Sequence, residues 1–356
     1  MHHLLNLCRT ETDPERRSFL AKTAYAVTTA ASALPDFGAL PVEGQKEPTG
    51  IQVATCDVEA LKEMTQTFAT LADRHGGAHV RAMLASYLAD QVGRLLHAPA
   101  NGALHNDLLQ GAGQLTHLLA LTNDDSGHPG LAQRYFRTAL DLATRAGDAR
   151  LYAITLRALS AQALRLGHLR HALQLAEAAI SALPAHADPA PRAFLLAQRA
   201  YAGAAHGDRR RAPADLALAE EHHAQATAAT GPFNTYPRAG LDYQRAQTLH
   251  ALSLPDQALA ALQSSARHRS PDERKPAALT HARLAEMQLD MGHVDAAVIH
   301  GHLFLDLCPY LHSTRIDTAL QRLRQHLARY PRQRQAVTLA ERLRDACRVR
   351  RGSFRT

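Results

Sequence analysis

Apolar residues recur at spacings of three and four through nearly all of the chain after Asp57, which is the period of one face of an α-helix. Leu61, Met64, Phe68 and Leu71 mark a first helix that stops at Gly76-Gly77, and Val80, Leu84, Leu88, Leu95 and Leu96 mark a second that stops between Pro99 and Gly102. Later stops stand at Gly127 to Gly130, Gly147-Asp148, Gly167, Pro184, Gly207-Asp208, Gly231-Pro232, Pro255, Pro271, Pro276, Gly292 and Pro309. Helices of roughly 12 to 18 residues joined by short turns pack as antiparallel pairs. No stretch alternates as a strand does, so the expected fold is all-α.

A second, longer period lies on top of the first. Gly167 is followed by Ala172, Ala179 and Pro184 at steps of five, seven and five, with Leu156, Leu159 and Ser160 upstream. The same frame returns in Gly127, Ala132, Phe136 and Ala139, and again in Gly207, Ala212, Leu216 and Ala219. Ser253, Ala258, Leu262 and Ser265 form a degenerate copy. Gly292 and Ala297 open a fifth, which breaks the frame by placing Gly301 where a large apolar residue belongs. The frames start 40, 40, 46 and 39 residues apart. Small residues at these places let two helices approach closely, and a single pair cannot bury its own apolar face, so several must stack.

This frame resembles the tetratricopeptide repeat, stretched beyond its usual ~34 residues by longer loops. The resemblance covers about residues 104 to 307 and implies a right-handed superhelical solenoid of helix pairs. A narrower likeness lies in Asp13-Pro14-Glu15-Arg16-Arg17-Ser18-Phe19-Leu20, in Phe68 to Gly77, and in Tyr135-Phe136-Arg137-Thr138-Ala139-Leu140-Asp141-Leu142-Ala143 up to Gly147-Asp148. Together these resemble actinobacterial regulators that join a helix-turn-helix domain to a tetratricopeptide sensor region. Only twelve residues precede the likeness, fewer than the roughly 55 to 65 a small DNA-reading domain needs. The resemblance therefore implies a sensor half that binds a peptide or protein partner in regulation, in the cytoplasm and without catalysis. An oligomer fits this picture as well as a monomer does.

Within that fold the first helix of each pair lines a concave face. The frame places Gln114, His117, Leu121 and Asp124 there, then Ile154, Arg157, Ala161 and Leu164, then Phe194, Ala197, Tyr201 and Ala204, then Gly240, Tyr243, Gln247 and His250, and then Leu279, Ala282, Glu286 and Leu289. Arg157, Tyr201, Tyr243, Gln247 and His250 are the candidate ligand-groove residues, because they can hydrogen-bond an extended backbone.

Composition and charge refine the picture. The chain of 356 residues is 46% apolar and 21% charged, with 5% aromatic residues and no Trp, which excludes disorder as its general state. The net charge is +7, from 40 basic and 33 acidic residues. From Arg315 onward twelve Arg face Asp317, Glu341 and Asp345, a balance of +9, so the rest carries 7 − 9 = −2. An Arg-rich tail of that kind suits phosphates, and Arg342, Arg344, Arg348, Arg350 and Arg351 are the candidates for a nucleic-acid contact.

The expected division is a leader and linker or arm over 1–56, a repeat array over 57–312 and capping helices with the basic tail over 313–356. The leader admits a second reading, since Arg16-Arg17 before a mildly apolar stretch and Ala31-Ser32-Ala33 resembles a twin-arginine export signal. Residues 34–56 hold Phe37, Leu40, Val42 and Ile51 and could lie in the array's own groove. The four cysteines are scattered, as befits a reducing compartment. The 22 His show neither metal-protease nor zinc-finger spacing; His222-His223 and His300-Gly301-His302 cannot hold one ion without further ligands. No phosphate loop, dinucleotide fingerprint or nucleophile elbow is present, so no catalytic residue, metal or cofactor is expected. No apolar run is long enough to span a bilayer.

Overall fold

The computed structural model describes residues 4, 5, 7–9, 53–226, 233 and 236–353, with side chains through Arg350. Most of the leader, the Arg16-Arg17 pair and most of the expected arm lie outside the described residues, whereas Leu4, Leu7 and Cys8 are buried in the main core.

Fifteen α-helices make up the described chain, with no strand among those residues. They are α1 (Thr55–His75), α2 (Gly77–Tyr87), α3 (Gly93–His97), α4 (Gly102–Asp125), α5 (Pro129–Arg145), α6 (Ala149–Arg165), α7 (Leu169–Ala182), α8 (Pro189–His206), α9 (Arg211–Gln225), α10 (Arg238–Ala251), α11 (Pro255–His268), α12 (Arg274–Asp290), α13 (Val294–Leu307), α14 (Thr314–Leu327) and α15 (Arg334–Ser353). A π turn, Leu88–Val92, joins α2 to α3 without a break. The strongest packing joins partners across a short turn: α4 with α5, α6 with α7, α8 with α9, α10 with α11 and α12 with α13.

The repeated frame falls on those turns. Gly127, Gly167, Gly207 and Gly292 follow the first helix of a pair with φ between +80° and +102°, and Ser253 does the same with φ +66°. The left-handed residue lets the next amide reach back five residues, as from His128 to Asn123, His168 to Ala163 and Leu254 to Leu249, at 2.9 to 3.0 Å. Ser253 holds a conformation that costs an L side chain about 1 kcal/mol. Ser253→Gly should therefore stabilise the fold by up to that amount, read as a raised urea midpoint with unchanged slope.

The frame's small residues are where helices touch. Ala132, Ala139, Ala172, Ala179, Ala212, Ala219, Ala258 and Ser265 are all at most 1% exposed. The fifth frame's irregular Gly301 also has a physical cause. A Cβ there would stand 2.4 Å from Leu339 Cδ2, so the missing side chain admits a leucine of α15. The core of these last helices runs from Ala278 to Leu343, across residue 312.

Polar side chains link successive first helices in register. Gln110 bonds Asp148 across 38 residues at 2.7 Å, and His117 bonds Thr155 across 38 at 3.0 Å. Gln162 donates to Asp124 across 38 at 2.8 Å, and Gln198 donates to Ser160 across 38 at 3.0 Å. Gln244 then donates to Gln198 across 46 at 3.2 Å.

The row of helices also bends back on itself, since α1 packs on α12. At this seam His312 donates its N–H to the His75 carbonyl at 2.7 Å and accepts from Ala78 N–H at 3.1 Å. Asp125 is the hub. Its carboxylate accepts from Gly77 N–H at 2.7 Å and from the Ser313 hydroxyl at 2.7 Å, and lies 3.4 Å from Lys275 Nζ. Its carbonyl accepts from Thr314 at 3.0 Å.

Candidate functional site

Tyr201 of α8 stands where several first helices meet. It is partly buried, and its hydroxyl is held above the ordinary pKa by burial and then by Tyr243 of α10. Arg283 of α12, Arg322 of α14 and Arg165 of α6 act on it in the opposite direction. Side chains from four other helices thus act on one phenol. The arginines are anchored: Arg165 pairs with Asp124, while Arg283 and Arg322 lie 3.0 and 3.4 Å from the buried Glu286. Arg165 has protein on most sides, and burial lowers its pKa, yet 37% of its side chain reaches solvent.

A second group lies along the same face. The Arg157 guanidinium carbon sits 3.4 Å over the Phe194 ring centroid, and Phe194 in turn packs on Tyr236 with centroids 4.6 Å apart. Burial, and then the neighbouring Arg165, bring the Arg157 pKa down to about 10 against a raising influence from Tyr236. Its buried Nε has no hydrogen-bond acceptor, and no carboxylate lies within ion-pair distance among the described residues. The Tyr236 hydroxyl is also buried without a partner. A cation over an aromatic ring gains about 2 kcal/mol when desolvated, less than the several kcal/mol a buried uncompensated charge costs.

His117 closes this group, packing on Phe136 and Phe233 at 5.6 and 5.0 Å. The Thr155 hydroxyl already donates to Leu151 O at 2.7 Å, so the bond between His117 and Thr155 requires the hydrogen on His117 Nδ1. Burial, followed by Arg157, pulls the His117 pKa from 6.5 to about 3. The group is thus neutral in the fold and takes up its proton more readily when unfolded. Its contribution is complete above pH 6.5 and is lost as pH falls from there towards 3, by about 2 kcal/mol at pH 5. His117→Gln should flatten that part of the stability–pH curve in urea titrations.

Of the candidate groove residues, Tyr201 and Tyr243 are brought together, and Arg157 lies further along the same face. Gln247 is half-buried, and His250 is exposed with its pKa lowered by burial and then by Arg283. Several positions expected to line the face are core instead, among them Ile154, Ala197, Ala282 and Leu289. Arg165 and Arg283, each one residue after an expected position, keep 37% and 24% of their side chains exposed. Tyr236 precedes α10 and carried no periodic signal.

The basic tail is divided. Arg350 points inward, donating to Asp317 at 2.7 Å and to the carbonyls of Cys308 and Leu311 at 2.9 and 2.7 Å. It caps the turn before α14 and is withdrawn from any surface row. Arg342 bonds Asp306 and His302, whereas Arg344 and Arg348 are exposed with acidic neighbours on their own helix. The side chain of Arg351 lies outside the described residues. Half-buried His281 and His300 stack on each other with Nδ1 atoms 3.1 Å apart. Among the described residues no group of three or more His, Cys, Asp or Glu could hold a metal ion, and no helix is long and apolar enough to cross a membrane.

No family model matches the chain, and no curated protein matches it.

Proposed function

We propose that this chain is a tetratricopeptide-like superhelical scaffold whose first-helix face binds an extended segment of a peptide or protein partner, as a non-enzymatic sensor or adaptor in cytoplasmic regulation. The observation that carries the reading is a row of half-buried or exposed arginines and tyrosines on successive first helices, Arg165, Tyr201, Tyr243, Arg283 and Arg322, the second and third of the arginines held together by the buried Glu286. Partly exposed tyrosines and arginines on rigid helices are the residue types that dominate binding energy at interfaces. Their donors match the carbonyls and carboxylates of an extended chain.

The test starts from peptides selected against the whole chain from a random display library. Their affinity is then measured by calorimetry with the unaltered protein and with Tyr243→Ala and Arg157→Ala. A loss of about tenfold or more in Tyr243→Ala is expected. Equal affinity in all three proteins, or a library that yields no binder, overturns the reading. The tail offers a weaker nucleic-acid contact, because Arg350 and Arg342 are engaged with the protein itself.

A further inference from the structure

Charge is divided unequally between the first and second helices of the pairs. The first helices α6, α8, α10 and α12 hold ten Lys and Arg against three acids, a balance of +7. Their second helices α7, α9, α11 and α13 hold three Arg against seven acids, a balance of −4. The next first helix, α14, adds Arg315, Arg322 and Arg324 against Asp317. The α4–α5 pair is reversed, with three Asp and no Lys or Arg on α4, but two of these, Asp124 and Asp125, pair with Arg165 and Lys275.

The fold consumes the acids and leaves cations over. Asp242 pairs with Arg238, Asp290 with Arg329, and Glu286 with both Arg283 and Arg322. From the second helices, Asp215 takes Arg199, and Glu220 takes Arg238 and Arg245. The two arginines on Glu286 are the clearest excess. Their shared carboxylate is 1% exposed, whereas Arg283 and Arg322 are 24% and 52% exposed, so negative charge lies beneath and positive charge outside. Arg157, Arg315 and Arg324 have no carboxylate within ion-pair distance among the described residues, and the hydroxyls of Tyr201 and Tyr243 meet no acceptor there. Along this row, donors and positive charge are in surplus.

We propose that the segment taken by the first-helix face is acidic, an extended peptide whose Asp and Glu side chains meet Arg165, Arg283 and Arg322 and the tyrosine hydroxyls between them. A guanidinium held from below by a carboxylate stays oriented and keeps further N–H groups for a second one. Arg165 spends its Nη1 on the Ala161 carbonyl and its Nη2 on Asp124, which leaves its Nε–H unused. Arg283 donates to Glu286 through Nη1 alone. The acidic second helices repel the same segment, so charge selects the face as well as the partner. This names the chemistry of the partner in the peptide-binding reading and rests on that reading for the use of the face.

The probes are the peptides recovered from the display library, resynthesised with both ends blocked so that only side chains carry charge. Asp and Glu should be enriched about twofold or more over the unselected library. Exchanging them for Asn and Gln should weaken binding to the whole chain about tenfold or more in calorimetry. Raising the salt from about 50 to about 300 mM should weaken the acidic peptides far more than their amide versions. Arg322→Gln removes an exposed arginine while Arg283 still holds Glu286, and should weaken the acidic peptides about threefold to tenfold at an unchanged melting temperature. Arg344→Gln, also exposed but on α15, should leave the affinity as it is. Recovered peptides without an excess of acids, or amide versions that bind as tightly, refute the acidic partner and leave the peptide-binding reading intact. If Arg322→Gln binds as the unaltered protein does, or loses no more than Arg344→Gln, the first-helix face is refuted as the place of contact. A library that yields no binder removes both readings. A single-stranded oligonucleotide that binds more tightly than any recovered peptide, with the same dependence on Arg322, overturns the proposal in favour of nucleic acid.

Discussion

Replacing Gly76 with alanine should destabilise the protein by about 4 kcal/mol, enough to abolish folding if the chain is only marginally stable. Two independent causes add. Gly76 has φ +87° and ψ 161°, a region essentially closed to L side chains, at a cost of about 2 kcal/mol. A Cβ would also stand 2.4 Å from the His312 carbonyl oxygen and 2.7 Å from its carbon. Neither atom belongs to a flexible side chain that could step aside, and such overpacking costs about another 2 kcal/mol. Gly102→Ala is the matched control. No atom lies within 4 Å of its Cβ position, so its urea midpoint should hardly move. A Gly76→Ala midpoint equal to that of the control would refute the seam as described.

Removing the Asp125 carboxylate should cost about 3 to 5 kcal/mol. Asp125→Ala leaves the Gly77 N–H, the Ser313 hydroxyl and the Lys275 ammonium without their shared acceptor, and the Lys275 side chain is only 13% exposed. Burial by itself would raise the Asp125 pKa. Lys275, Arg315, the Ser313 hydroxyl and the Gly77 N–H overcome it and hold the group below its ordinary value. A depressed folded pKa gives stability that is present above the unfolded value and lost as pH falls through the folded one. The unaltered protein should therefore lose this increment in acid, whereas Asp125→Asn should start lower at neutral pH and show a shallower acid slope. Denaturant titrations from pH 7 to pH 2.5 would read both effects, and parallel curves would exclude Asp125 as the hub.

The helices and their turns were legible because their causes are local. A glycine or serine five residues before an alanine marks a left-handed turn followed by a close helix contact, and Gly127, Gly167, Gly207, Ser253 and Gly292 all adopt it. Gly301 looked like an error in the frame because its partner, Leu339, lies 38 residues away and announces nothing locally. The seam was hidden for the same reason. Gly76-Gly77 read as a simple stop, although its conformation serves a contact with His312, and Asp125–Ser313 spans 188 residues.

The candidate face was half legible. Periodicity assigns a face only to within a residue or so of helical phase, which caught Arg157, Tyr201 and Tyr243 but missed Arg165 and Arg283. Tyr236 lies before its helix, where no period applies. The tail's charge was plain, but the sequence could not show that Arg350 caps the turn ahead of α14.

A row of helices that touch only their neighbours frays from either end, because each terminal unit has a single contact to lose. The contact of α1 with α12 removes that freedom. Opening either one must break the Asp125 hub and the His312 backbone bonds together, so early and late helices share one unfolding free energy. Amide hydrogen exchange in α1 and in α12 should then report the same opening, and Asp125→Ala should divide that single cooperative unit into two.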